Sequence, residues 1–502
     1  MIREQQAGGR PRAEGFALIG LGAGARLVGM GAGALAGLVT TALAVRLLGT
    51  SDYGVLAFAF SAAALFAGIG RLGLEPAVAR SMAIMQGDRG EMARVARGAF
   101  SLVAATGVAG TVATLVVIEL ASHNLDGWSR ITIAALLGVV LYGSNVTAVG
   151  AAVARGNGRV ALMEMSILVP ALGKLAAVAV LAAFDVADIR WVAAGYAIGA
   201  AAGIAVAWGT TDRVLGSCRA FVPDGGAARD VFRDSLPFAV VGLSVIVISR
   251  FDVVVLGLTG TAAEVGAYEP TLKLVEQAML LVTLVFTAQY LPVASKTFAD
   301  RETGAFRELY IVVSKIVFVV AAPAVILFAA FPEEVLHALY GADFPASGLL
   351  VWLLLPGFVV NLVFGLNASA LSAVGNRRAL ARTGLTATAA MVVLAVALVP
   401  PFGPKGAAAA TSGTYVILNL VVAYALLRAA EVQPFRRDFV VTMLSWLAPL
   451  GAALAIRASG DVSGVWEAIG VAVGVSVAWA LLLFPLKALR REEIVRLLPW
   501  RR

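Results

Sequence analysis

The sequence predicts an all-α, polytopic membrane protein of about 14 transmembrane helices, and its composition is the first reason. Of 502 residues, 60% are hydrophobic and only 14% are charged, whereas soluble domains have about half apolar and a quarter charged residues. The mean hydropathy is +0.89. Such a chain cannot bury its apolar side chains in a soluble core, because surface area falls too slowly with size. Soluble enzymes, disordered proteins and secreted disulfide scaffolds are therefore excluded.

Each of fourteen apolar segments is long enough to cross a membrane as one helix. A span needs about 20 apolar residues for a hydrocarbon core of roughly 30 Å. Helix is expected because a lone segment must satisfy its backbone hydrogen bonds internally. The first segment lacks a clear small-residue cleavage site, so we interpret it as a retained helix. The predicted spans are residues 17–46, 54–79, 99–119, 131–154, 160–183, 190–211, 235–258, 264–292, 309–331, 346–373, 380–400, 406–428, 438–456 and 463–486.

Basic residues alternate between the two sides of the predicted spans. With the N-terminus inside, the inner segments and inner span ends contain 30 Lys or Arg residues, the outer loops and outer span ends five, and the rest of the spans four. This asymmetry follows the positive-inside rule and predicts that both termini are cytoplasmic. It also explains the net charge of +8 by topology and attraction to anionic lipid, so no nucleic-acid partner is expected.

The sequence has no motif for a cofactor or for catalysis. The single cysteine, Cys218, and the distant His123 and His337 cannot build a metal site. No Walker A motif is present, and the outer loops are too short for a catalytic domain. We therefore expect no cofactor, no resident metal and no enzymatic activity.

Two internal echoes indicate duplication of a six-helix unit. Gly156-Asn157-Gly158-Arg159 after the fourth span returns as Gly375-Asn376-Arg377-Arg378 after the tenth, 219 residues later. The segment 48–54 is echoed at nearly the same offset by 260–266. An even number of spans gives both copies the same topology, as in parallel-repeat transporters. The predicted organisation is an N-terminal lobe, a cytoplasmic linker, a C-terminal lobe, and two additional helices with a basic tail, at residues 1–212, 213–234, 235–430 and 431–502.

Several motifs together resemble the polysaccharide transporter family, which belongs to a flippase superfamily with multidrug and toxin extruders and lipid II flippases. The resemblance covers roughly residues 15–430 and rests on the order and spacing of the motifs. They are Arg46-Leu47-Leu48-Gly49 with Asp52-Tyr53-Gly54, the stretch from Gly73 to Arg80, Arg155-Gly156-Asn157, and the run from Asp252 through Gly266-Ala267-Tyr268 to Lys273.

This resemblance implies two six-helix lobes around a central cavity, in the bacterial inner membrane. It implies that an undecaprenyl-diphosphate-linked oligosaccharide is flipped from the inner to the outer leaflet by alternating access. The product then serves cell-surface polysaccharides such as O-antigen or exopolysaccharide. The implied partners are membrane lipids and the polysaccharide polymerase and glycosyltransferases of the same pathway. Two alternatives remain open: a cation-coupled multidrug extruder of the same fold, and a membrane assembly scaffold without transport.

Charged residues inside spans are costly and are therefore candidate functional residues. In the eighth span, Glu269, Lys273 and Glu276 share one helical face. Lys273 is predicted to meet the substrate's phosphates, and Glu269 or Glu276 to couple transport to H⁺ or Na⁺. The alternative is a self-neutralised structural stripe. In the seventh span, Arg250 and Asp252 lie about 200° apart around the helix, so Arg250 is assigned to the cavity and Asp252 to an ion pair within its lobe.

Two further cations in the first half of the chain have alternative roles. Lys174, four residues after the helix-kinking Pro170, is either a substrate contact or the partner of Glu164. Arg26 either faces the inner part of the cavity or extends to inner headgroups. The intraspan cations favour an anionic ligand over a cationic drug.

The last candidates are polar residues near helix ends and in the tenth span. Arg71 and Glu75 are spaced as an i,i+4 pair, and with the neighbouring Arg80 they are assigned to structural ion pairs. Asn361 and Asn367 bond either sugar hydroxyls or neighbouring helices.

Overall fold

The computed structural model describes most of the chain from residue 10 to residue 488. The positions it does not describe are 1–9, 72, 122–126, 217–221, 365, 434, 461, 463, 487 and 489–502. No strand occurs among the described residues, so the predicted all-α fold is confirmed. The helices are α1 (Arg10–Arg71), α2 (Leu74–Ile84), α3 (Arg89–Ala121), α4 (Gly127–Gly156), α5 (Val160–Ala183), α6 (Ile189–Leu215), α7 (Gly225–Thr259), α8 (Ala262–Ala299), α9 (Thr303–Ala330), α10 (Pro332–Tyr340), α11 (Gly348–Phe364), α12 (Asn367–Val374), α13 (Arg377–Ala430), α14 (Arg437–Ser445), α15 (Leu447–Ser459) and α16 (Val465–Leu482).

The lengths and compositions of these helices agree with the predicted number of membrane crossings. Eleven stretches of the described residues are long and apolar enough to span a membrane. Two of them, Gly29–Gly68 and Arg378–Ala430, have 40 and 53 residues and are each broken once, so each provides two crossings. Helix α8 has 38 residues and extends about 57 Å at 1.5 Å per residue, which is long enough for a crossing, although it is not one of the eleven apolar stretches.

The breaks in α1 and α13 lie at glycines in the predicted loops. Gly49 has φ 72° and ψ 175°, and Gly403 has φ 53° and ψ −132°. Both are conformations that glycine adopts at little cost because it has no Cβ. Pro400, Pro401 and Pro404 surround the second break and remove backbone donors that a continuous helix needs.

Three predicted spans are interrupted in the structure. The span predicted at 54–79 stops at Gly73, which has φ 76° and lies against the backbone of Ser235 and Phe238. The span predicted at 346–373 consists of α11 and α12, and the thirteenth consists of α14 and α15. Hydropathy averaged over the roughly 20 residues of a span does not locate a break within it.

Residues 1–40 and 66–242 form one compact unit, in which α4 and α6 pack at small residues. A methyl group added at Gly150 would lie 2.7 Å from Cβ of Ala207, and one added at Gly143 would lie 2.8 Å from Cβ of Ala200. The two contacts are seven residues apart on both helices, which is about two turns. The glycines therefore allow the two backbones to approach closely over that length.

Gly150→Val is expected to destabilise this unit by about 1–3 kcal/mol, because overpacking a close helix contact forces backbone shifts. The matched control is Gly209→Val on α6, since a Cβ at Gly209 meets nothing within 4 Å. Thermal unfolding of the purified protein in detergent measures both. Equal melting temperatures of the two variants would contradict the packing described here.

The start of α6 is fixed by Asp188. Its carboxylate accepts a hydrogen bond of 2.8 Å from the backbone N–H of Arg190 and one of 2.7 Å from the guanidinium of the same residue. The side-chain hydrogen bond from Arg190, the largest favourable contribution, helps hold the pKa of the Asp188 carboxyl below its ordinary value. The cap therefore stays charged at neutral pH, where a negative charge stabilises a helix N-terminus.

Residues 41–65 and 243–502 form the second compact unit, where the two copies of a sequence echo meet. Gly54 approaches the backbone of Ala262 and Gly266, and a methyl group added to it would lie 2.9 Å from the Gly266 nitrogen. Gly266 in turn approaches the backbone of Thr50. The repeated glycine thus permits backbone contact between α1 and the start of α8.

The C-terminal helices α14–α16 attach to α9 through an apolar cluster and a buried ion pair. Lys315 on α9 is fully buried, and its Nζ lies 3.0 Å from Asp438 Oδ2 and donates a 2.8 Å hydrogen bond to the Ala488 carbonyl. Arg436 donates two hydrogen bonds of 2.6 Å to the same carboxylate. The buried members of the apolar cluster are Ile326, Ala330, Phe331, Ala453, Ala468 and Ala472.

Candidate functional site

Four polar side chains of the second unit form a connected group, which we call the α7–α8 cluster: Tyr53, Arg250, Glu269 and Lys273. The Glu269 carboxylate is its centre. Oε1 lies 2.5 Å from Lys273 Nζ and 3.6 Å from an Arg250 guanidinium nitrogen. Oε2 accepts a 2.8 Å hydrogen bond from the Tyr53 hydroxyl, and that hydroxyl lies 3.5 Å from Lys273 Nζ.

The cluster is positioned by three helices. Glu269 and Lys273 are one turn apart on α8, so their side chains meet directly. The start of α8 is fixed by a capping box, in which Thr261 and Glu264 exchange side-chain and backbone hydrogen bonds. Arg250 reaches the carboxylate from α7, and the tyrosine comes from the part of α1 that follows its break.

Burial divides the cluster into an enclosed anion and two accessible cations. Glu269 is 1% exposed, whereas the side chains of Arg250 and Lys273 are 22% and 19% exposed. Lys273 Nζ also lies 5.9 Å from the centroid of the Phe60 ring. Two cations and one carboxylate give these four side chains a formal charge of +1, with the carboxylate buried and both cations partly exposed.

Of the two acids predicted beside Lys273, the structure pairs Glu269 with it. Glu276 is half-buried and lies two turns from Glu269 along α8. None of the described cations lies within 4 Å of the Glu276 carboxylate. Within the described part of the chain, Arg250 and Lys273 interact electrostatically with Glu276 but make ion pairs only with Glu269.

Asp252 is held by hydroxyl groups and not by the predicted ion pair. Its Oδ2 accepts hydrogen bonds of 2.6 Å from Tyr268 and 2.6 Å from Thr411, and among the described residues no cation lies within 4 Å of it. The side chain is fully buried, and its Oδ1 has no hydrogen-bond partner in the described part of the chain. The interior of the lobe offers Tyr and Thr at the facing positions, because a second buried charge is costly. Arg250 and Asp252, two residues apart on α7, therefore have different partners.

In the first unit, Lys174 lies over an aromatic ring and Glu164 is buried. Lys174 Nζ lies 4.9 Å from the centroid of the Tyr196 ring, a cation–π geometry. Glu164 is buried against Gly29 of α1, where an added methyl group would lie 2.6 Å from Oε2. Arg26 belongs to α1, but its side chain lies outside the described residues.

Arg71 forms the predicted pair with Glu75, at 3.6 Å. It also donates hydrogen bonds of 2.5 Å to Asn145 Oδ1 and 3.0 Å to Ser144 Oγ, so it ties the end of α1 to α4. The assignment of Arg80 to an ion pair is wrong: it is exposed and has no carboxylate within 4 Å among the described residues. Water solvates its charge at that position.

The two asparagines of the tenth span bond neighbouring helices in this structure. Asn361 accepts a 3.1 Å hydrogen bond from Asn419 Nδ2. Asn367 is buried, accepts a short hydrogen bond from Tyr310 and donates one of 3.4 Å to the Asn419 carbonyl. The geometry thus favours the second of the two predicted roles.

Sequence reasoning missed the neutral partners of the charged residues. Tyr53, Tyr268, Thr411, Ser144 and Asn145 carry no charge and are ordinary residues for a membrane helix. Tyr53 and Tyr268 did occur in family motifs, which were the one signal for them. No group of three His, Cys, Asp or Glu side chains suited to a metal is present in the described part of the chain.

A family model described as polysaccharide biosynthesis protein matches residues 20–298. A search of curated protein sequences gives no significant match.

Solved structures share the fold at low sequence identity. The lipid II flippase MurJ, in an inward closed conformation, is 14% identical with a TM-score of 0.73, over 91% of this chain and 98% of that one. A multidrug resistance MATE family transporter of the MOP superfamily, inward-facing, is 18% identical with a TM-score of 0.60, over 82% and 94%. A MOP superfamily transporter from Pyrococcus furiosus with a binding pocket of reverse polarity is 17% identical with a TM-score of 0.57, over 82% and 95%. At these identities the likeness establishes the fold alone.

Proposed function

Because the chain belongs to the polysaccharide biosynthesis protein family and has the MurJ- and MATE-like transporter fold, we propose that it flips an undecaprenyl-diphosphate-linked oligosaccharide across the bacterial inner membrane. The substrate moves from the inner to the outer leaflet by alternating access and serves cell-surface polysaccharide synthesis. The polymerase and glycosyltransferases of the same pathway act before or after this flipping step. The observation that carries this proposal is the α7–α8 cluster, with its formal charge of +1.

The cluster has the chemistry that a diphosphate requires. Arg250 supplies a planar set of donors that matches phosphate oxygens, and Lys273 supplies a mobile point charge. Such contacts are stronger in a site shielded from bulk water. The Tyr53 hydroxyl holds the buried carboxylate from its other side, so the two cations stay in place when an anion approaches.

The membrane potential favours outward movement of the anionic headgroup. Each negative charge gains about 2.3 kcal/mol per 100 mV when it leaves the negative inside. Return of the empty carrier needs a counter-ion, because its uncovered cations move against the same field. We propose that H⁺ or Na⁺ neutralises Glu276 or Glu269 for this step. Glu276 is the better candidate, since no described cation pairs with it.

Lys273→Ala is expected to lower the flipping rate by about tenfold to a hundredfold, because the lost charge-assisted hydrogen bond contributes about 1.5–3 kcal/mol. The measurement uses vesicles containing the purified protein and a fluorescent polyprenyl-diphosphate oligosaccharide, with leaflet-resolved quenching. Lys296→Ala, an exposed lysine at the end of the same helix, is the matched control and keeps wild-type flipping. Wild-type flipping by a well-inserted Lys273→Ala protein would refute the role of the cluster.

The same assay separates the alternatives. A cationic-drug extruder gains from loss of positive charge at the cluster, so drug export by Lys273→Ala would rise. A scaffold without transport shows no flipping in any variant. Its deletion leaves the distribution of lipid-linked sugar between the two leaflets unchanged.

Both termini and the loop containing Cys218 are expected to face the cytoplasm, from the distribution of 30 basic residues inside and five outside. Cys218 lies outside the described residues, but it is the only thiol of the chain. A membrane-impermeant maleimide applied to intact spheroplasts should leave it unlabelled, and lysis should expose it. Labelling before lysis would reverse the topology.

A further inference from the structure

A basic groove lies at the ends of α13, far along the chain from the residues of the α7–α8 cluster. It has a volume of about 560 Å³ and is lined by Arg378 and Arg382 from the start of α13 and by Tyr424 and Arg428 near its end. That volume is within the range of small-ligand sites, about 300–1,000 Å³. Both ends of α13 meet here because the helix is broken at Gly403.

The three arginines carry charge that the described part of the chain does not neutralise. No described carboxylate lies within 4 Å of Arg378, Arg382 or Arg428, and all three are exposed. No acidic residue lines the groove. Arg428 is oriented by Tyr424, because its Nε donates a 3.1 Å hydrogen bond to the tyrosine hydroxyl and its guanidinium lies 5.4 Å from the ring centroid.

Each half of α13 continues from this groove with exposed apolar side chains, here called its two apolar stripes. Leu385, Val393 and Val396 follow Arg378 and Arg382 at helical spacing and are 53%, 65% and 57% exposed. On the other half, Leu420 lies one turn before Tyr424 and is 53% exposed. These surfaces belong to a stretch apolar enough to span a membrane, so the groove lies where headgroups meet acyl chains.

We propose that this groove binds the phosphate headgroup of an anionic phospholipid, with its acyl chains along the two apolar stripes of α13. Clusters of arginine beside a membrane-spanning helix attract anionic lipid, and guanidinium groups bind phosphate oxygens in pairs. The occupant is a resident membrane lipid such as phosphatidylglycerol. This inference does not depend on the proposed substrate or on the α7–α8 cluster.

The test is native mass spectrometry of the full-length protein in neutral detergent, titrated with phosphatidylglycerol or phosphatidylcholine. The groove variant is Arg378→Gln/Arg382→Gln/Arg428→Gln. The control variant, Arg159→Gln/Arg229→Gln/Arg233→Gln, removes the same charge from exposed arginines elsewhere. Each cation near an anionic lipid contributes about fivefold in affinity, so the groove variant should bind phosphatidylglycerol about a hundredfold more weakly than the control. Wild-type protein should prefer phosphatidylglycerol to phosphatidylcholine.

Three outcomes would overturn the proposal. The first is equal phosphatidylglycerol affinity in the groove and control variants. The second is displacement of the lipid by inorganic phosphate or glycerol phosphate at equal concentration, which indicates a free-phosphate site. The third is displacement by a polyprenyl diphosphate at equal concentration, which indicates a substrate site. If the triple variant does not fold, the single variant Arg382→Gln decides the question, with an expected loss of about fivefold.

Discussion

Glu269→Gln is expected to abolish flipping and to lower the free energy of unfolding by about 3 kcal/mol, because it removes the one carboxylate that joins three partners. Lys273, Arg250 and Tyr53 all contact this carboxylate, within 2.5, 3.6 and 2.8 Å. Glutamine keeps the shape but not the charge, so two neighbouring cations repel each other. Their partial exposure to water limits the cost, which places the estimate at the lower end of the range for buried pairs.

Chemical unfolding in mixed micelles measures the stability, and the vesicle assay measures flipping. Glu276→Gln is the control for stability, with an expected change of about 1 kcal/mol or less, since no described cation pairs with it. Glu269→Asp keeps the charge on a shorter side chain and should recover part of both properties. If Glu269→Gln unfolds like Glu276→Gln, the carboxylate does not hold the cluster together.

Asp438→Asn is expected to lower the free energy of unfolding by about 3–5 kcal/mol, because it removes the carboxylate that neutralises a fully buried ammonium. Lys315 has 0% side-chain exposure and lies 3.0 Å from this carboxylate. Arg436 also loses its hydrogen bonds to this carboxylate, but that side chain is 37% exposed and water solvates it. The lost stability therefore comes from the unneutralised charge of Lys315, and it weakens the attachment of α14–α16 to α9.

The matched control is Asp300→Asn, at an exposed aspartate that follows α8, where an effect of about 0.5 kcal/mol is expected. The double variant Lys315→Met/Asp438→Leu should recover much of the loss, because apolar residues often replace a buried ion pair without cost. Thermal unfolding and proteolysis between α13 and α14 report the attachment. A double variant as unstable as Asp438→Asn would show that the charge of Lys315 is not the cause.

The membrane-spanning architecture was predictable because hydropathy is a local property of the sequence. About 20 consecutive apolar residues suffice to identify a span, so the all-helical fold and the breaks at Gly49 and Gly403 agree with the structure. The interruptions at Gly73 and between α11 and α12 were missed. The break at Gly73 lies against the backbone of Ser235 and Phe238, a contact between separate helices that local hydropathy does not report.

The candidate site was predictable only in part. Charges inside apolar segments stand out in a sequence, and helical spacing places Lys273 beside Glu269. The same spacing allowed Glu276 as partner, and it assigned Asp252 to an ion pair that the structure replaces with Tyr268 and Thr411.

The sequence by itself determined that this chain is an all-helical membrane protein with repeated glycine motifs and charged residues within its spans. Only the tertiary structure decided which of those charges are neutralised and which residues neutralise them. The carboxylate of Glu269 contacts Tyr53, 216 residues earlier in the chain, and Lys315 contacts Asp438, 123 residues later. Helical periodicity relates residues within one helix, whereas such contacts depend on how separate helices pack, because a buried charge is stabilised by whichever donor the facing helix presents.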